Sequence, residues 1–221
     1  MPGTTDTHSS PTPARGRRAQ RVSGDEREAA ILATAERLLE ESRPLADISV
    51  DDLARGAGIS RPTFYFYFPS KDAVFLSLVD RLVQQAAVGQ GDLRERLAED
   101  PAKRWREALT VFYETFGAHR AVVIAGAQAR TSNPEAQALW SEVMEGWVSD
   151  AALAIEAERE RGAAAEGVPA RELAIALVSM NERVLYATFA GDAPAIDGGG
   201  VVDVLLDVWL SAIYGRGDVT V

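Results

Sequence analysis

The sequence predicts an all-α protein. Apolar residues recur at helical spacing along most of its 221 residues, and capping residues mark where helices begin. No stretch alternates apolar and polar residues convincingly, as a half-buried strand does. Because 47% of the residues are apolar, a chain of this length can bury a sizeable core in one or two units.

The amino-terminal elements follow from composition and caps. Residues 1–22 are rich in Thr, Ser, Pro and Arg and carry almost nothing apolar, so we expect a disordered basic arm. Ser23 and Glu26 then form a capping box that starts the first helix. One face of this helix carries an apolar stripe, made of Ile31, Leu32, Ala35, Leu38 and Leu39.

Two short helices come next. Ser49 is the N-cap of the first, with Asp52 as the reciprocal acid of a capping box. Gly56 and Gly58 follow it, and glycine supplies the positive φ that a tight exit from a helix needs. Ser60 is the N-cap of the second short helix.

The second short helix has a defined start and end. Pro62 lies in its first turn, where a missing N–H costs nothing, and Pro69 stops it. Ser70 caps the following helix, which begins at Lys71 and ends before Gly91. Further helices are predicted at about 102–118, 120–130, 134–161, 169–190 and 200–214, and Asn133 and Pro134 with Gln137 mark the start at 134. We therefore expect a small unit at 23–70 and a larger helical unit at 71–221.

Two short capped helices joined by a glycine turn match the size and build of a helix-turn-helix, whose second helix enters the DNA major groove. On that second helix we interpret Phe64 and Phe68 as core, with Ile59 just before them. The alternative is a helix wholly buried in a larger core, where two tyrosines, a threonine and an arginine are awkward to satisfy. The outward-pointing residues are Arg61, Thr63, Phe66 and Tyr67, with Tyr65 at the boundary.

The residues from Gly58 to Lys71 resemble the DNA-binding signature of the TetR family of transcriptional regulators: Gly58, Ile59, Ser60, Arg61, Pro62, Thr63, Phe64, Tyr65, Phe66, Tyr67, Phe68 and Lys71. Tyr67 stands where the family often has histidine, and it keeps a hydrogen-bond donor. The resemblance implies base contacts from Arg61, Pro62, Thr63 and Phe66, and phosphate contacts from Ser49, Tyr65, Tyr67 and Lys71. With the N-cap Ser60, these residues are the predicted DNA-binding set.

Net charge is an objection to DNA binding. The chain carries −10 at pH 7, whereas a DNA-binding domain is usually basic. The distribution of charge along the chain answers part of this objection, since residues 1–22 hold four arginines against one aspartate. That arm either lies against the DNA, which we favour, or is a plain solubilising tail.

The larger unit concentrates aromatic residues at helical spacing, for example Trp105, Phe112 and Phe116. A bulky core explains such a stripe, and so does an apolar small-molecule cavity with few polar groups. Asn181 and Glu182 add polar groups on an otherwise apolar helix. From the residues alone the two readings are equally supported.

The resemblance extends over about residues 15–215 to one repressor of the TetR family, in which an aromatic-lined tunnel takes apolar ligands. Filling that tunnel separates the two DNA-reading units of a dimer. The resemblance implies a ligand-binding set made of Trp105, Phe112, Phe116, Trp140, Met144, Trp147, Asn181, Glu182, Leu185, Tyr186 and Trp209. Val178 and Ala151 stand where that repressor has a second asparagine and a threonine, and Tyr186 replaces a phenylalanine. Fewer ligand hydrogen bonds are therefore expected on one side.

The same resemblance implies a homodimer through the last two helices, a roughly palindromic double-stranded DNA operator and a neighbouring monooxygenase-type target gene. Our candidates for the apolar dimer seam are Leu173, Leu177, Val201, Leu205 and Ile213.

Other function classes fit less well. The two histidines, His8 and His119, do not readily build a catalytic triad or a metal site, and no cofactor or metal is expected. We interpret the acidic runs at 51–52 and 156–160 as caps and solvated faces. The absence of cysteine, of a signal peptide and of any apolar stretch near about 18 residues indicates a cytoplasmic protein. A DNA-binding regulator without ligand control remains the alternative function.

Overall fold

The computed structural model describes residues 24–90 and 97–215 and confirms the all-α fold. The predicted arm at 1–22 and the cap at Ser23 lie outside the described residues. Within the described ranges there are nine α-helices, a 3-10 turn at Leu45–Asp47, and no strand. The helices are α1 Gly24–Glu40, α2 Val50–Gly56, α3 Arg61–Tyr67, α4 Lys71–Gln90, α5 Pro101–Ala118, α6 Arg120–Ala129, α7 Pro134–Glu160, α8 Ala170–Ala190 and α9 Val201–Tyr214.

The helix starts agree with the caps read from the sequence. Ser49 Oγ accepts a hydrogen bond from the backbone N–H of Asp52, whose carboxylate accepts one from the Ser49 backbone, so the capping box is complete. Ser60 caps α3 through the backbone N–H of Thr63. Asn133 caps α7 through two backbone N–H groups. These side chains satisfy amides that a helix start leaves without an internal partner.

The first hydrophobic cluster joins the helix-turn-helix to the rest of the chain. Phe64 and Phe68 are buried in it, as predicted, beside the apolar stripe of α1. The same cluster contains residues of α4 as far as Ala86, together with Phe116 and Val122 of α5 and α6. The predicted boundary at residue 70 therefore lies inside one continuous core.

A second cluster forms the far side of the molecule. It is built by α5, α7, α8 and α9, with α8 packed between α7 and α9. Helix α8 is long and apolar enough to span a membrane by length and composition, contrary to the sequence analysis. One such helix is weak support for a span, because core helices meet the same criterion. Here α8 contributes Ala174, Leu177 and Leu185 to the second cluster.

The two turn glycines have different roles. Gly58 has a φ of +67°, the left-handed conformation predicted for the exit from α2. Gly56 does not have a positive φ, so that part of the prediction is wrong for it. It is instead a point of close packing, because a Cβ there would lie 2.2 Å from Thr34 Cγ2 of α1. Thr34 is buried and its hydroxyl donates to the Ala30 carbonyl.

We expect Gly56→Ala to destabilise the fold by about 1–3 kcal/mol, because the added methyl overpacks the α1–α2 contact. Thr34→Ser in the same chain should recover most of this loss, since it removes Cγ2 and keeps the hydroxyl. Gly146→Ala is the matched control: its Cβ meets nothing within 4 Å inside α7, so thermal unfolding should show equal or higher stability. Equal melting temperatures for Gly56→Ala and the wild type would contradict the packing explanation.

Candidate DNA interface and candidate ligand cavity

Helix α3 presents an unusual exposed surface. Phe66 is 84% exposed and Tyr65 is 47% exposed, while Arg61 and Pro62 are exposed beside them. Among the described ring contacts, Phe66 takes part in one. It meets Tyr67 in a T-shaped arrangement with centroids 5.3 Å apart. Large apolar side chains left this open usually meet a partner surface. The arrangement fits a helix that reads DNA bases through polar and apolar contacts.

Arg61 is held in place by two neighbours. One terminal nitrogen donates to Asp51 Oδ2 of α2 at 3.1 Å, and the other donates to the Tyr65 hydroxyl at 3.4 Å. The guanidinium also lies over the Tyr65 ring, 5.9 Å from its centroid. The predicted base-reading arginine is therefore positioned before any DNA arrives.

Three predicted DNA contacts are partly committed to the protein itself. Ser49 uses its hydroxyl both to accept from the Asp52 backbone and to donate to the Asp52 carboxylate. Ser60 shares a hydrogen bond with the Thr63 hydroxyl. Lys71 Nζ donates to the carbonyls of Leu45 and Ala46, both at 2.9 Å. Hydrogen bonds from Ser49 and then Arg43 hold the pKa of the Asp52 carboxyl well below its usual range.

The larger unit encloses a cavity of about 520 Å³, lined by side chains from all six helices α4 to α9. Ten of the eleven predicted ligand-binding residues line it. They are Trp105, Phe112, Phe116, Trp140, Trp147, Asn181, Glu182, Leu185, Tyr186 and Trp209. Met144 is the exception: it does not line the cavity and packs against the second cluster.

Aromatic rings form much of the cavity wall. Phe112 and Phe116 stack with centroids 5.7 Å apart, and Trp147 meets both edge-on. Trp105 and Trp209 are tilted against one another at 4.7 Å. Val178 and Ala151 also line the cavity, and their side chains add no hydrogen-bonding group. The wall therefore favours an apolar occupant.

The two buried indole N–H groups have partners within the protein. Trp209 Nε1 donates to Asn181 Oδ1 at 3.0 Å, so Asn181 both lines the cavity and bonds across a helix interface. Trp105 Nε1 donates to the Tyr214 hydroxyl, which donates to Glu158. These bonds hold both tryptophans in the wall without leaving a buried donor unsatisfied.

Glu158 corrects the interpretation of 156–160 as a solvated face. It is only 2% exposed, and its carboxylate accepts from both Tyr214 and Arg161. Burial raises the pKa of the Tyr214 hydroxyl well above its usual range, and the bond to Glu158 acts in the same direction. The sequence carried no signal for this pairing, because the partners are separated by 56 residues.

The polar end of the cavity includes residues that the sequence analysis missed. Arg130 donates to Glu182 at 2.8 Å and its guanidinium lies 4.7 Å from the Trp140 ring centroid. Asp150 also lines the cavity, although its side chain is largely exposed. In a single sequence, Arg130 at the end of α6 and Asp150 within α7 both look like ordinary charged surface positions, so neither stood out.

The predicted dimer seam is wrong in its choice of faces. Four of the five candidates, Leu177, Val201, Leu205 and Ile213, are at most 4% exposed within the single chain, and Leu173 packs against the second cluster. The first four fill the core and are unavailable to a second copy, whereas Leu173 is half-buried. The exposed large apolar residues of the same helices are Ile175 of α8 with Val204 and Val208 of α9.

Two family models match different parts of the chain. Residues 31–78 match the family described as bacterial regulatory proteins, tetR family, and residues 105–215 match the carboxyl-terminal domain of the transcriptional regulator EthR. The HTH-type transcriptional regulator EthR of Mycobacterium tuberculosis is 55% identical over 214 residues, which cover 96% of this chain and 99% of that protein. The EthR of Mycolicibacterium smegmatis is 51% identical, covering 91% and 92%.

Solved structures show the same fold. A transcriptional regulator from Saccharomonospora viridis, determined in complex with choline, superposes with a TM-score of 0.71 at 24% sequence identity. The match covers 87% of this chain and all of that one.

Proposed function

The chain belongs to the TetR family of transcriptional regulators, as a member similar to EthR, and we propose that it is a ligand-controlled repressor. As a regulator of this family it binds DNA and is not an enzyme. The finer proposal is that it binds a roughly palindromic operator as a homodimer in the cytoplasm. An apolar molecule in the cavity then releases the DNA, and the target is a neighbouring gene of the monooxygenase type that the resemblance implies.

The observation that carries the ligand proposal is that the cavity wall and the helix-turn-helix unit share one core. This unit, made of α1 to α3, is called the head below. Val79 and Leu82 of α4 line the cavity, and both belong to the first cluster, which also buries Phe64 of α3. Phe116 and Val122 belong to the same cluster and also line the cavity. A ligand that displaces these side chains must therefore change the packing beneath the recognition helix.

Two further contacts tie the helices that line the cavity to the head. Lys71 at the start of α4 bonds the carbonyls of the 3-10 turn between α1 and α2. His119, where α5 meets α6, bonds the carboxylate of Glu36 on α1. Movement of α4 or of the α5–α6 junction is thus passed to the head through packing and hydrogen bonds. A ligand shifts the DNA equilibrium only by its differential affinity for the two arrangements.

A dimer explains how two heads reach one operator. In a two-fold dimer the two recognition helices enter successive major grooves roughly 34–36 Å apart. The exposed residues Ile175, Val204 and Val208 replace the predicted seam as our candidates for the interface on α8 and α9.

Operator binding is tested by a gel shift against the DNA that flanks the gene encoding this chain. We expect a specific shift by the wild type, weakened about tenfold or more by Arg61→Ala because a bidentate base contact is lost. Arg183→Ala is the control, since it removes the same charge from the exposed surface of α8, where Arg183 pairs with Asp192. Equal weakening by both substitutions would mean that Arg61 contributes only charge.

Ligand control is tested with Nile red, an apolar dye that becomes fluorescent in apolar surroundings. We expect the dye to bind and to weaken the operator complex. Val178→Phe, which fills part of the cavity, should lower dye affinity about tenfold. Leu153→Phe is the control because Leu153 is 47% exposed on α7 and does not line the cavity. An operator complex that is unaffected when the dye saturates the cavity would favour a regulator without ligand control.

The interface is tested by Val204→Glu. In a two-fold dimer this change places unpaired carboxylates from both copies in one apolar contact, so dimer affinity should fall about a hundredfold or more. Sedimentation should then show monomers, and operator binding should be lost. Val168→Glu, at a 59% exposed position in the α7–α8 loop, should leave the dimer intact. A dimeric Val204→Glu protein would place the interface elsewhere.

A further inference from the structure

The exposed carboxylate of Asp51 is unexpected on a surface that meets DNA. A carboxylate near phosphates opposes binding, so it needs a compensating role. Asp51 does not provide the cap of α2, which is formed by Ser49 and Asp52. Its described ion pair crosses to the next helix, where it meets Arg61.

An arginine discriminates between bases only when its donors meet the base edge in a defined orientation, as in the bidentate contact with guanine. A free arginine side chain occupies many rotamers, and fixing one on binding costs conformational entropy. In the structure, three contacts with two residues already hold Arg61. They are with the Asp51 carboxylate, the Tyr65 hydroxyl and the Tyr65 ring.

We propose that Asp51 is a positioning residue that sets operator specificity by holding Arg61, together with Tyr65, in the orientation that reads a guanine. The inference rests on the proposed function, because it takes Arg61 as a base-reading residue. Each terminal nitrogen of a guanidinium carries two hydrogens, so the bonds to Asp51 and Tyr65 leave one on each nitrogen for a base. By hydrogen count, Arg61 can therefore keep its bonds to Asp51 and Tyr65 and still make a bidentate contact with a base.

The neighbouring acid shows why the role belongs to Asp51. Asp52 pairs with Arg43 and Arg55, which lie before and within α2 and not on the recognition helix. Asp51 and Arg61 are ten residues apart and on different helices, so their bond fixes the arginine relative to α2 as well as to α3. Both partners are more than half exposed, and an exposed pair has a modest effect. We therefore expect a change in base preference and not a loss of folding.

The experiment is selection from a library of randomised operator DNA with the full-length protein, followed by sequencing of the bound fraction. The wild type and Arg61→Ala first identify the operator position whose guanine preference depends on Arg61. Asp51→Asn should then reduce preference at that same position by about two- to fivefold, the range for an exposed pair, and leave the other positions unchanged. Affinity for random DNA should rise, because one negative charge has been removed.

Three further variants separate positioning from charge and from helix stability. Glu40→Gln removes one exposed carboxylate at the end of α1 and should raise affinity for random DNA without changing any base preference. Asp51→Glu retains the carboxylate and should keep most of the preference. Tyr65→Phe keeps the ring, removes the hydroxyl and should weaken the same position as Asp51→Asn.

The outcomes are distinguishable. If Arg61→Ala abolishes one guanine preference and Asp51→Asn leaves it intact, Asp51 has no positioning role and the inference is overturned. A uniform loss of preference at every position in Asp51→Asn would also overturn it, since that is the result of a weakened α2. If Arg61→Ala changes no preference, Arg61 does not read bases, and the failure lies in the proposed role of that arginine.

Discussion

The first hydrophobic cluster is the constraint on which the rest of the structure depends. Helices α2 and α3 have seven residues each, so they cannot bury enough apolar surface to be stable alone. Their core residues pack against α1 and α4 and, through α4, against α5 and α6. The core of the head is thus continuous with the packing of the cavity wall. In the proposed function, coupling between the two sites would follow from this shared packing and would need no separate device.

An apolar cavity of this size costs stability, and it stays open only if its walls are held apart so that they cannot collapse into it. Polar contacts among its aromatic residues provide that support. Trp105 and Trp209 both donate to fixed acceptors, and the Tyr214 contact is anchored in turn by the buried carboxylate of Glu158, which pairs with the exposed Arg161. Elsewhere in the wall, Arg130 donates to Glu182 and lies over the Trp140 ring, so it links these two residues. The same polar groups that orient the walls also reduce the number left to bind a ligand, which favours apolar occupants.

Local chemistry was predictable from the sequence, whereas the choice between two apolar faces was not. Ser49, Ser60 and Asn133 cap the helices as expected because a cap acts within three residues of its own position. Helices α8 and α9 carry apolar residues on more than one side, so periodicity could not show that Leu177 and Leu205 face the core. Two further features depend on contacts between helices that are distant in the sequence, and a single sequence does not show such contacts. They are the bond between Glu158 and Tyr214 and the position of Met144 outside the cavity lining.

The acidic composition is easier to reconcile with DNA binding once the ion pairs within the head are considered. Several of its carboxylates are bonded to basic residues of the same head: Asp51 to Arg61, Asp52 to Arg43 and Arg55, and Glu41 to Arg37. These carboxylates are therefore not isolated negative charges beside the recognition helix, although the net charge of the chain is unchanged. A chain at −10 also gains little from phosphates in general, because non-specific affinity comes from counterion release by basic residues. Discrimination among DNA sites must then come from side chains that contact bases in fixed orientations, which makes the groups that orient them important to specificity.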